Sequence, residues 1–388
     1  MNRRAVLLGL GAIGTGAVGA SVWRLKSNHV LCAGEGSAYA PWKDWQQSST
    51  PVEQMIRAAV LAASPHNTQP WRFHLWPDGI DVYADVSRHV GAIDPLYREM
   101  DMGVGCAIEN LLLGAEAVGY RWSFDCPKAS DDIALRPVLR VLLRKGGSRA
   151  VSDLYLAIPE RHTNRGRYIV GKEVDVNKIE INAAPENTDA ELRIFWFQKK
   201  QEKQVFGDLV IRATEAIISD QEQSRSSARW LRTSWRDIQD HRDGLTYDAQ
   251  GLAFGVRTLG KFLPPFARQQ ADRFWLDATR STHVNTASAF GIISVRDAKN
   301  LHQRVEAGHL WQRMHLVATV QGIALHPLSQ PVERRDREWQ LGHYPTYAKA
   351  LSDLQQDDRW QPVMPFRLGY PVYKALPSPR RAIVSALI

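Results

Sequence analysis

Eight residues near the start of the chain read Ser64-Pro65-His66-Asn67-Thr68-Gln69-Pro70-Trp71. An Ala-rich segment precedes them and opens with Thr50, Pro51 and Glu53, a Thr N-cap with Pro at N1 and Glu closing a capping box. This pattern predicts a helix that continues to Ala63 and ends before the Ser-Pro pair. Residues 71–76 and 80–83 flank a Pro-Asp-Gly turn and predict a hairpin. The stretch therefore joins a helix to a hairpin, which favours an α+β fold.

The same stretch carries a candidate ligand-binding side chain. The carboxamide of Asn67 can donate and accept at once, which suits the O2/N3 edge of a pyrimidine-like ring. Pro70 and Trp71 fix the loop where it enters the strand. From these residues alone, a loop held in place only for packing explains the pattern equally well.

The chain carries signs of an internal repeat. A buried helix is predicted over residues 101–119 and a strand over 135–143. Small and apolar residues of this helix recur 203 positions later: Gly105, Leu113, Ala115 and Gly119 are followed by Gly308, Leu316, Ala318 and Gly322. The segment before the hairpin, residues 62–68, is similarly echoed by 183–188. Duplication and fusion explain these matches, and chance matching of small residues is the alternative.

The second copy is predicted to contain an insertion over residues 205–287, rich in Trp, Arg and Gln. We expect one or two amphipathic helices around Trp230 and Trp235, followed by a loop at 243–246. An insertion of this size is either a lid beside a site or a structural appendage.

Basic residues form two candidate anion-binding clusters. Arg161, Thr163 and Arg165 alternate along the chain, so in an extended segment they point to one side. Two guanidinium groups with a hydroxyl between them suit a phosphate dianion. The alternatives are a surface charge run for this cluster and a solvated tail for the second, Arg380 and Arg381.

Composition excludes several classes of protein. The 388 residues are 44% hydrophobic and 23% charged, which excludes disorder, and three Cys cannot form a disulfide framework. The net charge of +8 suits a small anionic ligand better than duplex nucleic acid. No CxxC, HExxH or G-x-S-x-G motif is present. The spacings of His302, His309 and His315 do not suit a metal site, so a solvated helix face is expected there.

The N-terminus predicts export. Arg3 and Arg4 precede an uncharged, Gly-diluted stretch from residue 5 to 23, and Arg24 and Lys26 follow it. This pattern is typical of a twin-arginine signal over residues 1–27. Small residues at 18–20 allow cleavage, and an uncleaved anchor remains the alternative. Two G-x-G-x-x-G matches at 9–14 and 14–19 lie inside this signal and lack the strand that a dinucleotide site requires.

Taken together, these segments resemble the FMN-dependent nitroreductase superfamily. The N-x-Q-P-W segment at 67–71, the Arg-x-Thr-x-Arg segment at 161–165 and the glycine-flanked central helix carry the resemblance. Residues 322–331 and 365–371 are similar to the family's loop over the flavin and its last strand. The order of the motifs resembles a fused branch, the Acg-type proteins. The resemblance implies an α+β nitroreductase-like fold with two related halves, 45–150 and 151–388, forming a pseudo-dimer within one monomeric chain.

The resemblance also implies a role for individual residues around FMN. Arg161, Thr163 and Arg165 would hold the ribityl-phosphate end, and Asn67, in the same motif as Gln69, would bind the pyrimidine edge of the flavin. The backbone around Ser329 and Gln330 would face flavin N5, and Arg380 and Arg381 would close on the phosphate. The first half lacks an Arg-x-[ST]-x-Arg segment, and the second half has Asp189 and Glu191 in place of Gln69 and Trp71. One complete FMN site per chain is therefore expected.

The function implied is that of an exported, periplasmic FMN oxidoreductase that passes hydride or electrons through flavin N5 to an unknown small molecule. Outside the cytoplasm NAD(P)H is scarce, so the donor would be a quinone or a partner protein. A flavin-binding protein without turnover, covered by the insertion, is the main alternative. A structural module that has lost FMN is the third. No catalytic acid or base and no metal ligand is assigned.

Overall fold

The computed structural model describes residues 23, 25–26, 29–147, 151–184 and 191–388. Most of the expected export signal, and the residues 185–189 on which part of the expected repeat depends, lie outside this range. The strands are β1 Trp71–Trp76, β2 Gly79–Asp85, β3 Tyr120–Asp125, β4 Leu135–Lys145, β5 Leu192–Phe197, β6 Leu231–Arg232, β7 Leu245–Thr246, β8 Ala289–Val295, β9 Ala324–Pro327 and β10 Gln361–Gly369.

The helices of the same residues are α1 Ala40–Lys43, α2 Pro51–Ala59, α3 Arg98–Ala117, α4 Asp153–Ala157, α5 Val176–Ala183, α6 Lys200–Ser219, α7 Gln221–Ala228, α8 Trp235–His241, α9 Phe254–Phe262, α10 Arg268–Ala278, α11 Leu301–Val320, α12 Gln330–Leu341 and α13 Thr346–Gln355. None of them is both long and apolar enough to cross a membrane.

Helix α2 begins as its sequence predicts but ends four residues early. The Thr50 hydroxyl accepts a hydrogen bond from the Glu53 amide at 3.1 Å. The helix stops at Ala59 and residues 60–62 continue as tight turns. Pro65 has no N–H with which to satisfy the Leu61 carbonyl in a continued helix, so this carbonyl is left for other donors.

The two halves have the same topology. β1 and β2 form the predicted antiparallel hairpin, and the first sheet has the order β1-β2-β4-β3. The second sheet has the order β5-β8-β10-β9, also antiparallel throughout. The first half runs helix, strand, strand, long helix, strand, strand. The second half has the same order once the elements from α6 to α10 and the helices α12 and α13 are set aside. The predicted α+β class with two related halves is confirmed.

The long helices α3 and α11 pack against each other at the centre of the molecule. Every residue of α3 from Arg98 to Ala115 is buried, and the helix begins three residues before the predicted start. Gly119 and Gly322, which follow the two helices, have φ of +85° and +69°, a conformation that favours glycine. Both predicted central helices are therefore present, each followed by its glycine.

The predicted insertion is more structured than its sequence indicates. Instead of one or two helices it contains most of α6 and all of α7 to α10. Helix α6 begins before residue 205 and belongs to the second half, because Phe206 stacks on Phe290 of β8 with ring centroids 4.4 Å apart. The segment after it, 221–251, reaches the first half, where Ser227 Oγ lies 2.9 Å from His66 Nε2.

The C-terminal segment crosses from the second half to the first. The Trp42 indole donates to the Ser378 carbonyl at 2.7 Å, and the Arg380 amide donates to the Ala38 carbonyl at 2.7 Å. At the very end, the Ile388 amide donates to Phe73 of β1 at 3.0 Å. The alternative of a solvated tail is therefore wrong.

Candidate functional site

The loop between α2 and β1 is held in an unusual backbone conformation. His66, Asn67 and Gln69 have φ of +45°, +57° and +53°. Residues with a Cβ seldom adopt these φ values. Each residue held in such a conformation costs about 1–3 kcal/mol of conformational free energy, so the conformation persists only where the surrounding structure enforces it. Such strain concentrates at functional sites, and here it falls on the stretch that the sequence singles out.

Asn67 is locked by groups from two other segments. Its Oδ1 accepts a hydrogen bond from the Arg380 guanidinium, and its Nδ2 donates to the carbonyls of Pro379 at 2.9 Å and Gly244 at 3.2 Å. Gln69 behaves similarly: Oε1 accepts from the Arg381 amide at 2.8 Å, and Nε2 donates to the Arg242 carbonyl at 2.9 Å. The loop, the insertion and the C-terminal segment therefore meet at these two side chains.

The structure thus brings together four of the predicted site residues, Asn67, Gln69, Arg380 and Arg381. Both hydrogens of Asn67 Nδ2 bind protein carbonyls and Oδ1 already accepts one hydrogen bond, so the carboxamide has no donor left for a ring edge in this arrangement. Its role toward a flavin stays a prediction.

Arg161 and Arg380 converge on one carbonyl oxygen. Their guanidinium groups donate to Leu61 O at 3.2 Å and 3.3 Å, the carbonyl that Pro65 leaves without a helical partner. Both side chains are buried, at 2% and 3% exposure, and neither has a carboxylate within ion-pair distance among the described residues. The Nε of each is buried without a hydrogen-bond partner. Burial lowers the pKa of Arg161 to about 10, and burial together with the charge of Arg161 lowers the pKa of Arg380.

Two further arginines of the second half have no acidic partner among the described residues. Arg165 donates to the Ala249 carbonyl at 3.1 Å, and desolvation lowers its pKa to about 10. Arg367 on β10 donates to His326 Nδ1 at 3.1 Å and to the Gly166 carbonyl at 2.8 Å. Arg367 was not among the predicted site residues, although an arginine inside an otherwise apolar strand is a usable signal.

Neutral imidazoles surround these arginines. Burial and the nearby guanidinium charges lower the pKa of His66 to about 4 and of His162 to about 3, and keep those of His283, His315 and His326 well below the usual value. His315 Nδ1 lies 3.4 Å from the Arg161 guanidinium. The expectation of a solvated histidine face on α11 is wrong for His315, because the second sheet and α3 enclose that helix.

The remaining predicted residues are not joined to this cluster by hydrogen bonds. The Thr163 side chain is half-buried and has no hydrogen-bond partner within the described residues. Ser329 Oγ lies 3.9 Å from Met364 Sδ, and Gln330 begins α12 with its Oε1 buried and unpartnered. The structure therefore groups the N-x-Q-P-W and Arg-Arg segments directly and leaves the flavin-N5 contact as a prediction.

The site as a whole is suited to an anion. Four arginines, Arg161, Arg165, Arg367 and Arg380, have no acidic partner in the described part of the chain, and the Nε of two of them, Arg161 and Arg380, is buried without a hydrogen-bond partner. Guanidinium groups bind phosphate through charge-assisted hydrogen bonds. The phosphate of FMN fits this donor set by charge. Among the described residues no group of three or more His, Cys, Asp and Glu side chains is arranged to hold a metal.

Comparisons with known proteins identify relatives in sequence over part of the chain. No protein-family model matches it. Over 120 residues, 30% of its length, the chain is 28% identical to a Mycobacterium tuberculosis protein named as an NAD(P)H nitroreductase, with the same figures for strains CDC 1551 and H37Rv. The match spans about a third, 34%, of the length of these relatives.

Solved structures with some likeness to the fold include nitroreductases. One is a nitroreductase from Anabaena variabilis, 11% identical, with a TM-score of 0.43 over 76% of this chain and 69% of that one. Another is an FMN- and NADPH-dependent nitroreductase from Sphigopyxis sp. strain HMH, 14% identical, with a TM-score of 0.38 over 60% and 96% of the two chains.

Proposed function

We propose that this chain is an FMN-dependent oxidoreductase of the nitroreductase superfamily, with one flavin site per chain built from both halves. The observation that carries the proposal is the pair of buried guanidinium groups, Arg161 and Arg380, that share the Leu61 carbonyl and have no acidic partner in the described structure. The sequence match to proteins named as NAD(P)H nitroreductases supports the family.

The phosphate end of FMN is held by Arg161, Arg165 and Arg380. Burying an unpaired guanidinium is costly, and a bound phosphate removes that cost. Arg161 follows α4 in the second half, and Arg380 belongs to the C-terminal segment, which packs against the first half. The phosphate end of the site therefore needs the second half and also the contact of its C-terminal segment with the first half. The neutral histidines beside the arginines leave the positive charge to the guanidinium groups.

The flavin supplies the redox chemistry when bound, by accepting and passing on hydride or electrons at N5. The protein's residues orient the cofactor and exclude water. The strained loop at 66–69 fixes one wall of the site, and its contacts with Gly244 and Pro379 hold that wall rigid. No side chain is assigned as a proton donor.

We further propose that the two halves arose by duplication and that the chain is exported as a monomer through the twin-arginine pathway. Identical strand orders in the two sheets and the 203-residue spacing of matching positions support the duplication. The paired arginines at residues 3 and 4 support export. An exported enzyme would take electrons from a quinone or a partner protein and pass them to a small organic substrate.

A flavin-binding protein without turnover is the second candidate. The segment 221–251 covers the strained loop, with contacts from Ser227, Arg242 and Gly244. A cover of this kind protects a bound flavin from solvent and also from substrates, so segment 221–251 would then be a lid.

Anaerobic titration of the FMN-loaded full chain distinguishes the candidates. Bleaching of the flavin absorbance by NADPH, or by a soluble quinol, supports an enzyme and identifies its donor class. Bleaching by dithionite alone supports the binding protein. Failure to take up FMN at all contradicts both.

A further inference from the structure

The indole ring of Trp42, on helix α1, lies against the guanidinium of Arg380. The central carbon of the guanidinium is 4.5 Å from the centroid of the ring. Both side chains are buried, Trp42 at 8% and Arg380 at 3% exposure. Such a distance in a buried place defines a cation–π contact, in which the negative face of the ring stabilises the positive charge.

Two further contacts fix the position of the indole ring. Its Nε1 donates to the carbonyl of Ser378 at 2.7 Å, two residues before Arg380. The imidazole of His162 packs against the indole with ring centroids 4.6 Å apart and an interplanar angle of 76°. Since His162 directly follows Arg161 in the chain, Trp42 contacts both segments that supply the arginine pair.

An aromatic ring stabilises a buried arginine in a way that a carboxylate cannot. A carboxylate would neutralise the guanidinium, bind its N–H groups and repel a phosphate. The ring carries no net charge, so it stabilises the cation and leaves that charge available to an anion. The Nε of Arg380 is buried without a hydrogen-bond partner among the described residues, so a donor is left over as well.

We propose that Trp42 is a positioning residue for the phosphate of FMN, because its ring holds the Arg380 guanidinium in place as a cation without an acidic partner. This role rests on the proposed FMN site. The indole also shields the guanidinium from water, in which charge-assisted bonds to an anion are weaker. An aliphatic side chain at this position keeps the apolar contact but offers no negative ring face.

Comparison of FMN with riboflavin, which is the same flavin without the phosphate, tests this role. The dissociation constants of both flavins are measured by fluorescence quenching for the full-length wild type, for two variants without a ring, Trp42→Leu and Trp42→Met, and for Trp42→Phe. The matched control is Trp45→Leu. Trp45 is also 8% exposed and lies in the same apolar cluster, where its ring packs on Tyr155 at a centroid distance of 5.0 Å.

We expect the variants without a ring to bind FMN about tenfold more weakly than wild type and to bind riboflavin as wild type does. Trp42→Phe keeps a ring face but loses the bond to the Ser378 carbonyl, so its affinity for FMN should stay within about threefold of wild type. Trp45→Leu should keep the wild-type ratio of the two affinities. Thermal midpoints of the flavin-free proteins show which variants fold and what each substitution costs in stability.

Equal losses of FMN and riboflavin affinity in the variants without a ring overturn the positioning role, because a purely structural effect acts on both flavins. Unchanged affinities in these variants overturn it too. So does a loss in Trp42→Phe that is as large as in Trp42→Leu, because the bond to Ser378 would then be responsible. In each of these cases wild type binds FMN and the proposed function stands. A wild-type protein that binds neither flavin, or both equally, contradicts the proposed phosphate site and the positioning role together.

Discussion

Gly105 of α3 and Gly308 of α11 meet where the two central helices cross. A Cβ on Gly105 would overlap the Val305 carbonyl oxygen and lie 3.0 Å from the His309 backbone nitrogen, and a Cβ on Gly308 would lie 2.6 Å from the Met102 carbonyl carbon. The contact is reciprocal, since Gly105 and Gly308, and likewise Met102 and Val305, are 203 residues apart. Asp101 and Arg304, with the same spacing, form an ion pair at 3.2 Å. This is the geometry of an isologous dimer interface inside one chain.

Substituting Gly105 with Ala should therefore destabilise the whole molecule. The added methyl group meets backbone atoms that cannot rotate away, so the helices must separate at their crossing point. We expect the free energy of unfolding to fall by about 3 kcal/mol, measured by urea denaturation. Gly255→Ala is the control, because a Cβ there meets no atom within 4 Å and alanine favours the helix by about 0.5–1 kcal/mol. Equal effects at the two glycines would contradict this description of the crossing.

Replacing Arg161 with Met should affect stability and ligand binding in opposite directions. Arg161 is a buried cation with two long hydrogen bonds and no acid partner among the residues that the structure describes, so its removal should leave the free chain as stable as wild type or more so. Affinity for FMN, measured by fluorescence quenching, should fall by about tenfold or more because a charge-assisted phosphate bond is lost.

Arg98→Met is the matched control for that substitution. Arg98 is equally buried but donates to Asp336 at 2.7 Å and to Glu99 at 3.2 Å. Its loss leaves the buried Glu99 without a cation and Asp336 with Arg335 alone, and should cost about 3–5 kcal/mol. If Arg161→Met destabilises the free chain as much as Arg98→Met does, Arg161 has a structural role.

The strain at Asn67 can be measured with two substitutions. Asn67→Ala removes the carboxamide and also places alanine at φ +57°, whereas Asn67→Gly removes the carboxamide alone. We expect Asn67→Ala to lower the free energy of unfolding by about 2–3 kcal/mol and Asn67→Gly by about 1 kcal/mol less than that. Equal losses would show that the loop relaxes out of the left-handed conformation.

The imidazole of His309 should make stability fall at alkaline pH. The carboxylates of Glu109 and Glu306 outweigh the effect of burial and raise the pKa of His309 from 6.5 to about 10. Between these values the folded chain keeps a proton that the unfolded chain releases. Stability should therefore fall as pH rises from 6.5 to 10, by roughly 2 kcal/mol or more. The variant His309→Gln should lack this part of the pH dependence in urea denaturation at several pH values, and an unchanged profile would contradict the assignment.

Much of the fold can be predicted from local patterns. Three predicted features depend only on residues a few positions away in sequence: the N-cap at Thr50, the turn after Trp76 and the glycines that follow the central helices. Each of them is present in the structure. The 203-residue spacing also predicted the two related halves, because residues at a symmetric interface are constrained in both copies.

What the sequence did not predict depends on long-range packing. Neither α9 nor α10 buries a residue, so no core-facing pattern distinguishes these helices from a loop. His315 was expected at the surface because the spacing of the histidines indicates nothing about the second sheet and the helix α3 that enclose α11. The partnership of Asn67 with Arg380 joins residues 313 positions apart, and the end of the C-terminal segment pairs with a strand of the other half. Such contacts exist only once both halves are assembled.

The measurement that tests the central proposal most directly is the flavin content of the full chain after incubation with FMN and removal of unbound cofactor. A single flavin site built from both halves predicts one FMN per chain for wild type. It also predicts a large loss of bound flavin for Arg161→Met, with an unchanged unfolding midpoint for the flavin-free variant. Two flavins per chain would contradict a single site shared by the halves. No retained flavin in the folded wild-type protein would contradict the proposed function altogether.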